Sequence, residues 1–173
     1  MAIIKAFQSK SPKIAHSAFI AENATIIGDV EIGADVSIWY GVVLRGDVGA
    51  IRIGARSNIQ DLSMIHMTGG AFDTVIGQDV VVGHGAILHS AHVGNGALVG
   101  MGAILLDDCE VGEGAVVAAG SVVPPRMVVP PYTMVRGSPA KLARELSPEE
   151  RDMGRRGAAG YVELLRHYLE DPR

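Results

Sequence analysis

Aliphatic residues recur along the chain at a spacing that neither a simple helix nor a simple strand produces. They fall at Ile14, Ile20, Ile26, Ile32, Ile38 and Leu44, six residues apart, and then at Ile53, Ile59 and Ile65 after three inserted residues. Beyond the loop 67–74 the pattern resumes at Ile76, Val82 and Leu88, loses one residue, and continues through Val93, Val99, Leu105, Val111, Val117 and Val123. An amphipathic helix repeats at about 3.6 and a half-buried strand at about 2, so a sustained period of six fits short parallel strands coiled into a prism. Each hexad then supplies one side and points its aliphatic inward. Small or turn-prone residues follow, as in Ile32-Gly-Ala-Asp35, Val82-Gly-His-Gly85 and Val111-Gly-Glu-Gly114, where the chain must turn a tight corner. The pattern predicts a mainly β prism over 11–125.

The character of the chain then changes. Val123-Pro-Pro and Val129-Pro-Pro are predicted to stop the strands, because proline cannot donate to a ladder, leaving 126–146 as a proline-rich connection. Ser147-Pro-Glu-Glu150 reads as an N-cap, a proline at the first helical position and a capping-box glutamate. A helix over 148–169, within a C-terminal segment 147–170, follows. Met153, Ala158, Tyr161, Leu164, Leu165 and Tyr168 are spaced to form one apolar side. That side would pack along the prism, so 1–173 is expected to be a single domain.

Composition sharpens this picture in three places. The 22 glycines and 5% aromatics in a chain that is 48% hydrophobic belong to a core of aliphatics and small residues, and argue against disorder. A net charge of -4, with Lys and Arg scattered singly, offers no basic stripe for nucleic acid. Cys109 is the only cysteine, and neither a secretory signal nor a transmembrane run is legible, so a cytoplasmic protein with no membrane partner is expected.

The register also assigns side chains to sides. Three hexads make one coil: Ile53, Ile59 and Ile65 fill one and Ile76, Val82 and Leu88 the next. Arg45, His66 and His89 each follow a third-side aliphatic by one position, so they should stack as an outward ladder, with neighbouring coils about 4.8 Å apart. Two imidazoles so placed can share one metal ion. His84 follows Val82 by two, over Asp61, and a corner of the prism separates it from His89. Prisms packed around a threefold axis would let the His84 of one subunit complete the ligand set of another. Three histidines with an open fourth position suit a zinc site that lowers the pKa of bound water to about 7, and imidazole also accepts Fe(II) or Co(II). His16 and His167 have no partners in register and read as surface residues. His92 sits where the repeat loses a residue.

Several segments together resemble the γ-class carbonic anhydrases, within the hexapeptide-repeat, left-handed parallel β-helix proteins. They are Ser37-Ile-Trp-Tyr-Gly-Val-Val-Leu-Arg-Gly-Asp47, Asn58-Ile-Gln-Asp61 followed by His66, and His84-Gly-Ala-Ile-Leu-His89. The resemblance implies a left-handed prism and a homotrimer with three zinc sites, His66 and His89 coming from one subunit and His84 from the next. It implies reversible hydration of carbon dioxide to bicarbonate. Gln60, with Asn58 nearby, would hydrogen-bond the water or bicarbonate. Arg45, Asp47 and Asp61 resemble an intersubunit charge network, as trimer-stabilising ion pairs or as part of the chemistry. Tyr161 resembles a C-terminal helix tyrosine that approaches the pocket, and its place on the apolar side equally suits packing. The family's proton-shuttle glutamates have no counterpart: Val48 and the short segment 67–73, with Asp73 its only carboxylate, stand in their places.

Two other classes use the same scaffold, since fold does not fix function. One is acyl chemistry, as an acyl-thioester hydrolase at the same metal or as a hexapeptide acyltransferase. The other is a non-catalytic metal-binding trimer.

Overall fold

The structure is a computed structural model that describes residues 1–70 and 72–170. Ala71, in the predicted short loop, and residues 171–173 of the predicted single domain lie outside the described residues.

The hexads form a parallel β-helix, and the pairing follows the predicted register throughout. On the first side Ile14 pairs with Ile32, Ile32 with Ile53, Ile53 with Ile76, and so on through Val93 and Val111 to Val129. The second side stacks Ile20, Ile38, Ile59, Val82, Val99, Val117 and Val135. The third stacks Ile4, Ile26, Leu44, Ile65, Leu88, Leu105 and Val123. Apart from Ile4, Ile14 and Ile20 at the open end, all of these are buried, so the aliphatic columns are the core.

Corners are made by one conformation used repeatedly. The third residue after an inward aliphatic takes a left-handed φ at Asp35, Gly41, Arg56, Leu62, Asp79, Gly85, Gly96 and Gly102, and on through Tyr132. Glycine is favoured there because φ > 0 crowds a Cβ. The glycine directly after the aliphatic answers a different demand. At Gly100 a Cβ would stand 2.5 Å from the backbone nitrogen of Ala119, because the next coil lies directly against it.

Three expectations are corrected. Pairing begins before residue 11, with Ile3–Lys5 alongside Thr25–Ile27. The segment 126–146 is not a bare connection: Val128–Val129 and Thr133–Gly137 continue the prism, and Ala140–Glu145 closes it antiparallel to Thr133–Gly137. Pro124, Pro125, Pro130 and Pro131 fall at corners rather than in the two-residue strands, where no ladder N–H is required of them. The helix starts late, running Met153–Glu170. Over 147–152 the backbone instead makes short turns from Ser147 and Glu150, and Arg144 grips both Glu150 carboxylate oxygens at 2.6 and 2.7 Å. Half of the capping box survives, since Ser147 N–H donates to Glu150 Oε2 at 2.9 Å.

The helix lies on the second side near the first coils. Phe19, Ala21, Trp39 and Leu165 form a small separate core with Tyr40 and Tyr161 packed on it. Trp39 meets Tyr161 and Tyr168 with ring centroids 5.6 and 5.0 Å apart. Among the described residues no helix is long and apolar enough to cross a membrane.

Candidate functional site

The repeat places His66 and His89 directly beside one another on the third side. Their ring centroids are 5.4 Å apart and the rings are inclined by 55°. His84 projects from the corner between the second and third sides, with half of its side chain exposed against 17% for His66. Among the described residues no three His, Cys, Asp or Glu side chains of the single chain converge on a point that could hold a metal ion.

Each of the three histidines is held by a carboxylate through one ring nitrogen. Asp47 Oδ1 lies 3.0 Å from His66 Nε2, Asp61 Oδ2 lies 2.9 Å from His84 Nδ1, and Asp107 Oδ1 lies 2.6 Å from His89 Nδ1. Such a pairing fixes the ring and leaves the other nitrogen available as a ligand, the arrangement common around metal-binding imidazoles. Arg45 Nη1 donates to Asp47 Oδ2 at 2.5 Å. Burial alone would raise the Asp47 carboxyl, but hydrogen bonds from Arg45 and His66 outweigh it and hold the group below the ordinary aspartate value. Burial likewise opposes ionisation of Asp107, and hydrogen bonds from His89, Thr68 and Ser90 hold it below the ordinary value. In this chain Asp47 and Asp61 are thus the immediate partners of two candidate ligands.

Gln60 sits on the second side beside His84 and is buried with its amide engaged at both ends. Its Oε1 accepts from the His84 backbone N–H at 3.2 Å and its Nε2 donates to Asn58 Oδ1 at 3.2 Å. Asn58 Nδ2 is buried without a hydrogen-bond partner among the described residues. Tyr161 reaches this cluster from the helix. Burial pushes its phenol above the ordinary value, the Asp61 charge adds to the rise, and a hydrogen bond with Gln60 opposes it. The candidate residues of one chain therefore fall into two groups. His66, His89, Arg45 and Asp47 lie on the third side, and His84, Asp61, Gln60, Asn58 and Tyr161 lie around the second.

The surroundings of the two halves are apolar. Leu62, Met101, Met64 and Ile87 flank the histidines and are 74%, 58%, 46% and 39% exposed. A groove of about 340 Å³ runs from Gln60 and His84 along Val81, Leu98 and Val116. A depression of about 680 Å³ lies instead on the first side over Lys13, Glu31, Arg52 and Gln78, and no candidate ligand lines it. It is an open strip of paired charges, with Arg52 bonded to Asp29 at 2.8 Å, so the groove beside His84 is the better candidate. His92 points outward on the first side between Val75 and Glu110, away from His66 and His89.

Asp107, Thr68 and Ser90 are absent from the residues read from sequence. The register would have found Asp107: Leu105 stacks on Leu88, which sets Leu106 over His89 and Asp107 over Ser90. Asp73 is tied down, accepting from the Ala50 N–H at 2.7 Å, and Val48 is 47% exposed.

Comparison with known proteins agrees with this architecture. The family model "Bacterial transferase hexapeptide (six repeats)" matches residues 11–46 and 90–125. Gamma carbonic anhydrase 3, mitochondrial, of Arabidopsis thaliana is 46% identical over 76 residues, covering 41% of this chain and 30% of that protein. A solved hexapeptide transferase family protein of Anaplasma phagocytophilum is 43% identical, covers 96% of this chain and 98% of its own, and superposes with a TM-score of 0.92. The chain belongs to the hexapeptide-repeat family. The carbonic anhydrase of Geobacillus kaustophilus is 52% identical over 66 residues, which is 38% of this chain and 36% of that protein. The matched segments thus span about a third of the length of these curated relatives. A solved Bacillus cereus structure, named as a candidate acetyltransferase, is 46% identical with a TM-score of 0.94 over 96% of both chains.

Proposed function

We propose that this chain is a metal-dependent, carbonic anhydrase-like enzyme, acting in the cytoplasm as a homotrimer whose sites are completed at the contacts between subunits. The observation that carries this reading is the division of the three carboxylate-held histidines between two differently facing sides, with an apolar rim around both halves. Pairing the third side of one copy with the second side of another would bring His66 and His89 to the partner subunit's His84. The donor set fits a borderline metal such as zinc, with Fe(II) or Co(II) as alternatives. When bound there, such an ion supplies Lewis acidity that brings the pKa of water to about 7.

The chain's own groups supply orientation. Gln60, pinned by His84 N–H and Asn58, presents a fixed amide to a small polar reactant such as carbon dioxide or bicarbonate. Tyr161 braces that amide from the helix, while Arg45, Asp47 and Asp61 fix the histidines and add charge pairs at the subunit contact. Asp73, bonded to Ala50 N–H, and the apolar Val48 leave no free carboxylate in the family's usual shuttle places, so turnover is expected to depend on buffer concentration.

Stopped-flow hydration of carbon dioxide tests this on anaerobically purified protein loaded with Zn, Fe(II) or Co(II). Metal-dependent hydration that rises with buffer and is lost in His84→Ala supports the reading; hydration by the His84→Ala protein, or none with metal bound, sinks it. A second reading, acyl transfer or thioester hydrolysis, is favoured by the name of the Bacillus cereus structure. Acyl-thioester cleavage without carbon dioxide hydration would select it. A trimer that binds metal and turns over neither substrate would be a non-catalytic scaffold.

A further inference from the structure

We infer that Asp107, braced by Thr68 and Ser90, is the positioning residue that sets the orientation of His89 as a metal ligand. This rests on the metal reading of His66, His84 and His89. Asp107 comes from the coil above His89, and its two carboxylate oxygens are both used. Oδ1 takes the Nδ1 of His89 at 2.6 Å and Oδ2 accepts from the Thr68 hydroxyl at 2.9 Å.

Thr68 is itself held, because its backbone N–H donates to Ser90 Oγ at 2.9 Å, and Ser90 is fully buried. The far end of the loop is closed by the Thr74 hydroxyl on the carbonyl of His66 at 2.8 Å and by Asp73 on Ala50. Met67 is buried in the core between these ties. Thr68 therefore joins the coil of His66 to the carboxylate that holds His89.

The consequence is chemical. A carboxylate on Nδ1 selects the Nδ1–H tautomer and turns Nε2 outward with its lone pair free. His66 is held the other way, through Nε2 by Asp47. A neighbouring pair with fixed and opposite tautomers is pre-organised to share an ion, and loss of the brace should weaken metal binding without unmaking the prism.

The test uses the full chain as wild type, Asp107→Asn and Thr68→Val, with Co(II) as the probe. Affinity is read by visible absorption in competition with a chelator, and the His89 tautomer in the metal-free protein by ¹⁵N NMR of the ring. Asp107→Asn should bind Co(II) about 10 to 100-fold more weakly and lose the pure Nδ1–H signature, as expected for a carboxylate behind a ligating histidine. Thr68→Val, which keeps every charge, should weaken binding about threefold and keeps the test open if Asp107→Asn does not fold. Wild-type affinity in both folded variants with an unchanged His89 tautomer overturns the assignment alone. A wild-type protein that takes up no Co(II) overturns the metal reading and the assignment with it.

Discussion

The coils from Val93 to Val123 and those from Leu44 to Ser90 are made of the same hexads and do different work. In the first stretch every inward aliphatic follows the last by six residues, and the outward residues on the third side are Ile104, Leu106 and Val122. In the second, the repeat breaks at the same corner, between third and first sides, on three successive coils. Leu44 and Ile53 are nine residues apart, Ile65 and Ile76 eleven, and Leu88 and Val93 five. Arg45, Asp47, His66, Thr68, His89 and Ser90 all lie at these breaks. The lesson is that the uninterrupted repeat supplies stiffness and lends single corner residues such as Asp107, while the interruptions supply the backbone that brings His66, Thr68, His89 and Ser90 within its reach.

That comparison can be broken first in the regular stretch. Leu105 is fully buried in the third column, and Leu105→Ala should cost about 2–5 kcal/mol in urea or thermal unfolding. Because the candidate ligands lie in the interrupted coils, Co(II) stoichiometry at 20 °C should be unchanged as long as the variant is folded. Loss of Co(II) binding by folded Leu105→Ala would mean that the two regions are not separable.

A smaller effect is expected beyond the prism, where Arg144 holds Glu150. The guanidinium, helped by the Ser147 N–H, brings the Glu150 carboxyl down from 4.5 to about 2. A carboxyl lowered on folding contributes stability that is complete above its ordinary value and lost as pH falls through its folded value. The difference between wild type and Glu150→Gln should therefore be constant at neutral pH and shrink from about pH 4.5 toward pH 2. Both groups face solvent, so the difference is small at every pH and smaller still in salt. A difference that grows on acidification would contradict the pairing.

Much of this was legible in the chain. A period of six fixes which residue stacks on which, and His66 beside His89, and His84 over Asp61, follow from counting. The misreadings have local causes. Proline predicts a strand stop, but at Pro124 and Pro130 it only needs to occupy a corner. The capping motif at Ser147 predicts a helix start, but Arg144, six residues away from Glu150, draws that glutamate into a turn. Asp107 is hidden in the sequence because it lies in Leu105-Leu-Asp-Asp-Cys109, where an aspartate reads as corner chemistry. Its partner is 18 residues back, and only the register brings them together.

The central claim is that neither half-site is sufficient and that two copies complete each other. The direct measurement is complementation between His84→Ala and the double variant His66→Ala with His89→Ala, refolded together and titrated with Co(II). Neither protein alone should bind Co(II) at the site. In mixed trimers, a His84→Ala subunit still offers His66 and His89, and its double-variant neighbour still offers His84, so mixing should restore binding and the hydration activity with it. Mixed assemblies that form and still bind no Co(II) would contradict a site shared between subunits.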